Sequence, residues 1–316
     1  MDLQVYGMRN VMELATTLMA VDAMSGGTAT VHHGNVAHLV GADASMNPGA
    51  SIKTAEAQAI SLEAPLPLAD VASNYDTQFL RFSAKRPDMR ILFTVTRGRY
   101  HIVARRSAGI AAIKDLRGKR VGTYTRTSSS YYLSKELEAH GLTEADVEMV
   151  ALAPIFEISK AIIDKRVDAI SIWEPASQAA KDGLGADAIE LKTPGVYASY
   201  FNLNSTAEKL ANPAKRQQMV ELTRHLIRAS LQVKTNPQAG CAWLAKATGF
   251  ERGLIDRAFA NHDYSVTIEP NHLDVLFDQD QWIAREQGRT PRTREQLSTL
   301  LDYSVYNEAI AGLSLC

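Results

Sequence analysis

The chain has 316 residues, enough for two units with separate cores, because single cores rarely grow beyond about 250 to 300 residues. Its 46% hydrophobic and 22% charged residues are those of an ordinary globular protein. A formal net charge of −1 argues against a nucleic-acid binder, and no apolar run reaches the roughly 18 residues that would span a bilayer. Two cysteines, Cys241 and Cys316, are too few for a disulfide framework or a metal cluster, and Cys241 is expected as a small core residue.

The first strand is expected at Leu3 to Tyr6. A helical pattern runs from Val11 to Met24, with Leu14, Leu18, Val21 and Met24 on one face. In open α/β sheets ligands collect at the carboxyl ends of strands, so Met8, Arg9 and Asn10 stand where a binding residue would be; Arg9 reads equally as a solvated loop residue. Adjacent His32 and His33 point to opposite faces of a strand, so with His38 nearby they still make no metal site. Gly41 to Ile52 reads as an exposed loop and Thr54 to Ile60 as a short helix. A strand follows at Leu68 to Ala72, then the loop Ser73-Asn74-Tyr75-Asp76-Thr77 and a helix from Thr77 to Ala84, which Ser73 or Asn74 would cap. Strands at Arg90 to Thr96 and Tyr100 to Ala104 flank Arg97-Gly98-Arg99.

From Gly109 to about Thr193 the pattern alternates. Strands at Arg120 to Tyr124, Val147 to Ala151, Val167 to Ile172 and Ala188 to Leu191 are interleaved with helices at Ser130 to His140, Ile155 to Asp164 and Pro175 to Asp182. That order implies a parallel or mostly parallel sheet covered on both sides. Gly118 suits the turn before the first of these strands. The hydroxyls Thr127, Ser128, Ser129 and Ser130 suit a helix N-terminus, where they cap and where backbone N–H groups also make a site for an anion. Trp173-Glu174-Pro175 falls on the same rim. Trp173 there would either stack on a ligand or pack, and Glu174 would receive a ligand amine or steady the loop. After a strand at Tyr197 to Asn204 the chain is helical at Ala214 to Thr235, Pro237 to Thr248, Glu251 to Ala260, His272 to Gln287 and Thr293 to Leu301. Leu222, Leu226, Ala229 and Val233 form the apolar stripe of the first of these.

Several of these segments, in this order, resemble a known family. Asp115-Leu116-Arg117-Gly118-Lys119-Arg120-Val121-Gly122, then Thr127 to Leu133 and a helix ending in Gly141-Leu142, are similar to the central segment of ABC-importer solute-binding proteins. The branch is the one for sulfonates, taurine, nitrate or the thiamine pyrimidine. Asp146 to Val150 and the run from Lys165 to Trp173-Glu174-Pro175 extend the resemblance, which covers about Leu68 to Asp302. It implies an α/β, two-lobed type II periplasmic-binding-protein fold, each lobe a mostly parallel sheet flanked by helices, with a C-terminal helical wrap. Lobe 1 would comprise residues 1–98 and 198–316, and lobe 2 residues 99–197. The resemblance also brings in Ser73, Asn74 and Tyr75 as a ligand-contacting loop, Tyr132 in the second lobe, and Tyr197 and Tyr200 on the return path into the first.

The function this implies is capture of a small organic anion, a sulfonate or carboxylate, in the cleft between the lobes of a monomer. The protein would serve ABC permease and ATPase subunits and use no cofactor, metal or nucleic acid. The start of the chain reads as lacking a signal peptide, which implies a periplasmic or lipid-anchored protein with the signal removed, or a cytoplasmic one if Met1 is native. The alternative is an enzyme on the same fold, a decarboxylase or desulfinase-like lyase acting on a small aromatic acid. Such desulfinases carry a Cys nucleophile in the loop after the first strand, where this chain has Gly7-Met8-Arg9-Asn10. No Gly-x-Ser-x-Gly, Walker A or His-Glu-x-x-His motif is present.

Overall fold

A computed structural model describes residues 2–9, 11–24, 27–41, 67–193, 197 and 200–313. By its internal contacts the chain divides into two units. The first is drawn from the described residues of Met1–Met46, Glu63–Arg97 and Tyr200–Cys316, the second from those of Gly98–Ser199.

In the first unit, β1 (Leu3–Gly7) carries Leu3 and Val5 fully buried on one face. It pairs in parallel with β2 (Ala29–His33) and with β3 (Val71–Tyr75). Antiparallel β10 (Tyr200–Thr206) lies between β3 and β4 (Met89–Gly98), and the two-residue β11 (His262–Asp263) closes the order β11-β4-β10-β3-β1-β2. Against this sheet packs the helix Pro213–Thr235. Its Leu222 and Leu226 join Leu3, Val5, Val71, Leu92, Phe93 and Leu203 in one core. One to two turns later, Ala229 and Val233 enter a second core with Cys241, Leu244, Ile255, Phe259 and Tyr264. The apolar stripe read from the sequence thus serves two cores in succession, each buried Leu contributing about 1.5–3 kcal/mol. Asn212 caps this helix, its Oδ1 accepting from the N–H groups of Ala214 and Lys215 at 3.1 and 3.2 Å.

The second unit has the sheet order β7-β6-β8-β5-β9, from β5 (Tyr100–Arg105), β6 (Arg120–Thr123), β7 (Glu148–Ala151), β8 (Ala169–Trp173) and β9 (Ala188–Glu190). β6 is parallel to β7 and β8, whereas β5 is antiparallel to β8 and β9. In the first sheet β10, and in the second β5, runs against both of the strands described beside it. These are the strands on which the chain enters a unit. They are not reached through the crossover helix that makes neighbouring strands parallel. Among the described residues no helix is long and apolar enough to cross a membrane.

Element boundaries differ from the sequence expectation where polar residues are buried. The strand expected at Leu68 to Ala72 lies at Val71–Tyr75, so Ser73, Asn74 and Tyr75 are strand residues and the helix begins at Asp76. Ser73 and Asn74 have low intrinsic strand preference. They are held by antiparallel pairing with Leu203 and Asn202 of β10, itself an Asn-rich strand whose Asn204 donates to the Ala72 carbonyl at 2.9 Å. The helix expected from Val11 is a short 3-10 turn, Met12–Leu14, followed by the helix Ala15–Ala23. The helix expected from Ser130 starts at Ser128. Tyr197 precedes β10 rather than opening it. The loop read from Gly41, beyond that residue, and the helix read at Thr54 to Ile60 fall outside the described residues.

Candidate functional site

In the second unit, Tyr100 on β5 pairs directly opposite Trp173, the last residue of β8. Because side chains alternate along a strand, His101 projects to the other face. On the first face six rings touch in a connected set. Tyr100 lies 5.4 Å from Tyr132, 5.7 Å from Tyr197 and 6.1 Å edge-on from Trp173. Tyr124 stacks on Trp173 at 6.2 Å and Tyr131 meets Tyr197 edge-on at 5.1 Å. The Tyr100 hydroxyl donates to Ser128 Oγ at 2.6 Å, and that of Tyr132 to Thr193 Oγ1 at 3.0 Å. Burial pushes the Tyr132 phenol well above its ordinary value.

The hydroxyl cluster divides its work. Thr127 is the N-cap of Ser128–Ala139: its Oγ1 accepts from Ser129 N at 3.2 Å and donates to the Tyr124 carbonyl at 2.6 Å. Ser130 closes the capping box on Thr127 N. Ser129 Oγ donates to the Ser171 carbonyl at 2.5 Å and lies 2.9 Å from Thr123 Oγ1, stitching the helix to β6 and β8. Ser128 alone combines with a ring hydroxyl. As it accepts from Tyr100, its own proton remains to be donated.

Behind the rings is a charged cluster. His101, nearly buried, lies between two carboxylates: its Nδ1 is 2.6 Å from Glu190 Oε1 and its Nε2 is 3.4 Å from Glu174 Oε1. Lys181 Nζ is 3.0 Å from Glu190 Oε2 and 3.9 Å from Glu174 Oε1. The His101 hydrogen bond is the main reason that Glu190 is held down to about 2, outweighing its partial burial. Glu174 Oε2 also accepts from Gln178 N at 2.9 Å, so this fully buried carboxylate steadies the start of the helix Ala176–Leu184.

In the first unit, the exposed Arg9 donates from Nη2 to the Val31 carbonyl at 2.8 Å and from its backbone N to His33 Nδ1 at 3.3 Å, which folds it onto the end of β2. Met8 beside it is half-buried; Asn10 lies outside the described residues. Ser73 is fully buried, with no hydrogen-bond partner for Oγ among the described residues. Asn74 Oδ1 accepts from Tyr75 N at 2.8 Å. The Tyr75 hydroxyl donates to Oε1 of the fully buried Glu13, 3.4 Å from His262 Nε2. Tyr200 donates to Asn271 Oδ1 at 2.7 Å and meets His272 edge-on.

Of the residues singled out by sequence, the structure brings Ser128, Tyr132, Trp173 and Tyr197 together, with Thr127 and Ser129 as supporting groups. Met8 and Arg9 stand at the end of β1, Ser73 to Tyr75 at the end of β3 and Tyr200 at the start of β10, all in the first unit. Glu174 faces the charged cluster rather than the rings. The sequence reading passed over Tyr100, Tyr124, His101 and Glu13. A period-2 reading of β5 against the Trp173 strand end would have found Tyr100, and Tyr124 stands at the carboxyl end of β6.

Cys241 lines a cavity of about 420 Å³ in the first unit with Asp256, Phe259, His262 and Tyr264. Burial, with the Asp256 carboxylate adding, pushes its thiol up to about 11. From the lost thiolate fraction, native Cys241 is expected to react with a thiol reagent at pH 8 about two orders of magnitude more slowly than a free cysteine, and to recover full reactivity in denaturant. Mass-spectrometric counting of the labelled peptide checks this.

The fold is shared with solved structures. The alkanesulfonate-binding protein SsuA from Xanthomonas axonopodis pv. citri, bound to MOPS, aligns with a TM-score of 0.67 at 17% identity over 95% of this chain and 98% of its own. The periplasmic aliphatic sulphonate-binding protein SsuA from Escherichia coli aligns at 0.70 and 15%, over 93% and 96%. The desulfurization enzyme DSZB aligns at 0.64 and 14%, over 98% and 99%. The two mixed sheets flanked by helices are those of the type II periplasmic-binding-protein fold. A family model described as "NMT1/THI5 like" matches residues 58–239, more than half of the chain, and the chain therefore belongs to the NMT1/THI5-like family.

Proposed function

We propose that the chain is a solute-binding component of an ABC-type importer, with the two compact units as its lobes, acting outside the cytoplasm and presenting a small organic anion to permease and ATPase subunits. The observation that carries this reading is the ring face of the second unit. Tyr124 and Tyr197, partly exposed beside the buried Trp173, offer apolar surface for an organic body, and the capped start of a twelve-residue helix, where Ser128 is held against Tyr100, favours an acid group nearby. Sulfonate-binding neighbours of the same fold support it. DSZB shows that the fold also carries enzymes. Against a thiol mechanism stands Cys241, buried and held protonated, and the turn after β1 has Met8 and Arg9 where that chemistry would need a cysteine.

The test is a thermal-shift screen of sulfonates, carboxylates, nitrate and pyrimidines, with mass spectrometry of each hit after incubation. A ligand at 100 times its dissociation constant should add about 2.7 kcal/mol of stability and be recovered intact. Recovery of a desulfonated or decarboxylated product would overturn the binding-protein reading in favour of a lyase.

A further inference from the structure

We infer that the first unit holds a small-molecule site of its own, in the cavity of about 420 Å³ beside Cys241, and that it takes a neutral, single-ring aromatic molecule with one N–H or O–H donor. This goes beyond the binding-protein reading and does not rest on it, since every lining residue belongs to the first unit. The volume falls within the roughly 300–1,000 Å³ of small-molecule pockets. Along the cavity three rings run in a row: Phe259 stacks on Tyr264 at 4.8 Å and Tyr264 on His262 at 5.7 Å, with planes inclined by 24° and 26°. Val233 and Cys241 complete this wall. An aromatic body gains there from offset or edge-on ring contact as well as from burial.

The donor follows from His262. Its side chain is 1% exposed, and neither ring nitrogen has a hydrogen-bond partner among the described residues. An unpaired polar atom without access to water is costly, and an occupant that hydrogen-bonds to it removes that cost. Nε2 is turned to the fully buried Glu13, whose Oε1 lies 3.4 Å away. The two nitrogens of an imidazole point apart, so Nδ1 is the one left for an occupant. With the ring proton on Nε2, toward the carboxylate, Nδ1 is an acceptor and calls for a donor on the ligand. Neutrality follows from the charges at the mouth. The exposed Asp256 already accepts from Arg252 Nε at 2.8 Å and the exposed Asp263 from Arg97 Nη1 at 2.6 Å, while the charge of Lys234 acts on Asp263. A cation finds these carboxylates taken, and an anion meets both of them.

The probes are phenol, anisole, cyclohexanol and benzoate. Anisole keeps the ring and loses the donor, cyclohexanol keeps the donor and loses the ring, and benzoate carries a charge. Calorimetric titration of the full chain gives the affinities. Alkylation of Cys241, counted peptide by peptide in a mass spectrometer with Cys316 as the reference, gives the location, because Cys241 lines the cavity. Ala260→Trp, at an exposed lining position, fills the cavity from the solvent side and is first shown to keep its far-UV spectrum and urea midpoint. Phenol is expected to bind about tenfold tighter than each other probe, roughly 1.4 kcal/mol. At saturation it should slow Cys241 alkylation about tenfold and leave Cys316 unchanged, and Ala260→Trp should weaken its binding about tenfold or more. An unprotected Cys241, an affinity for any other probe within about twofold of that for phenol, or undiminished binding by Ala260→Trp overturns the assignment. If Ala260→Trp does not keep the native midpoint, protection of Cys241 in the native chain decides by itself. None of these outcomes alters the sulfonate and carboxylate screen, so failure here and failure of the binding-protein reading are separately visible.

Discussion

Replacing Asp76 by alanine is expected to destabilise the first unit by about 3–5 kcal/mol, the cost of removing one partner from a buried charged network. Asp76 is fully buried at the first position of the helix Asp76–Ser83. Its Oδ1 accepts from His272 Nε2 at 2.8 Å and from Asn202 Nδ2 at 2.5 Å, and Asn202 in turn accepts from Thr94 Oγ1 at 2.9 Å. One carboxylate therefore joins the end of β3, the middle of β10, β4 and the start of the helix His272–Gln287. Alanine would leave the His272 and Asn202 donors buried and unpaired. Asparagine keeps an oxygen for both donors but places an amide N–H₂ where Oδ2 has no partner among the described residues. Asp76→Asn should therefore cost less, about 1–3 kcal/mol. Urea unfolding gives the size of the loss, and hydrogen exchange at β3 and β10 amides gives its location. A loss below about 1 kcal/mol for the alanine variant, or one spread evenly into the second unit, would refute the assignment.

The Asp76 network also shows where reading the sequence stopped. Periodicity and capping are local signals. They placed β1, the alternating strands and helices of the second unit and the stripe Leu222, Leu226, Ala229, Val233 within a few residues, and they marked Thr127 as a cap. Nothing local relates Asp76 to His272, 196 residues away, or His101 to Glu190, 89 residues away. Those contacts exist because β10 inserts between β3 and β4, and β9 beside β5. For the same reason the polar run Ser73-Asn74 read as loop: its strand character comes from a partner strand far along the chain. At the candidate site, Trp173 and the hydroxyl cluster were legible as strand-end and helix-start residues. Tyr100 and Tyr124 carried local signals as an alternating strand residue and a strand-end residue, but that they meet Trp173 follows only from the pairing of β5 with β8 and the placing of Tyr124 on Trp173.

The second large effect is expected at Asp280, fully buried on the helix His272–Gln287. Burial alone would push its carboxyl up. Arg289, donating from Nη1 and Nη2 at 3.1 and 2.5 Å, and Arg292, donating from N, Nε and Nη2 at 2.7, 3.1 and 2.7 Å, hold it below the ordinary carboxylate range instead. Arg292 also reaches Ser83 Oγ at 2.9 Å and the Leu80 carbonyl at 3.0 Å, so the network fastens the helix Asp76–Ser83 as well. Asp280→Ala should cost about 3–5 kcal/mol at pH 7 by removing the buried carboxylate that holds Arg289 and the half-buried Arg292. The sign of the pH dependence follows from the lowered value. A carboxyl that is more acidic in the folded chain than in the unfolded one, where it titrates near 3.9, contributes fully above about pH 4 and loses that contribution as pH falls through its folded value. Urea midpoints measured from pH 7 down to pH 2 should therefore converge: the gap between the native chain and Asp280→Asn, wide at neutral pH, narrows below about pH 4. A gap that stays constant through that range would mean that packing, rather than the charge held by Arg289 and Arg292, accounts for the stability at this position. Because the same helix begins with His272, the partner of Asp76, the two substitutions share one element, and their costs should fall short of additivity when combined.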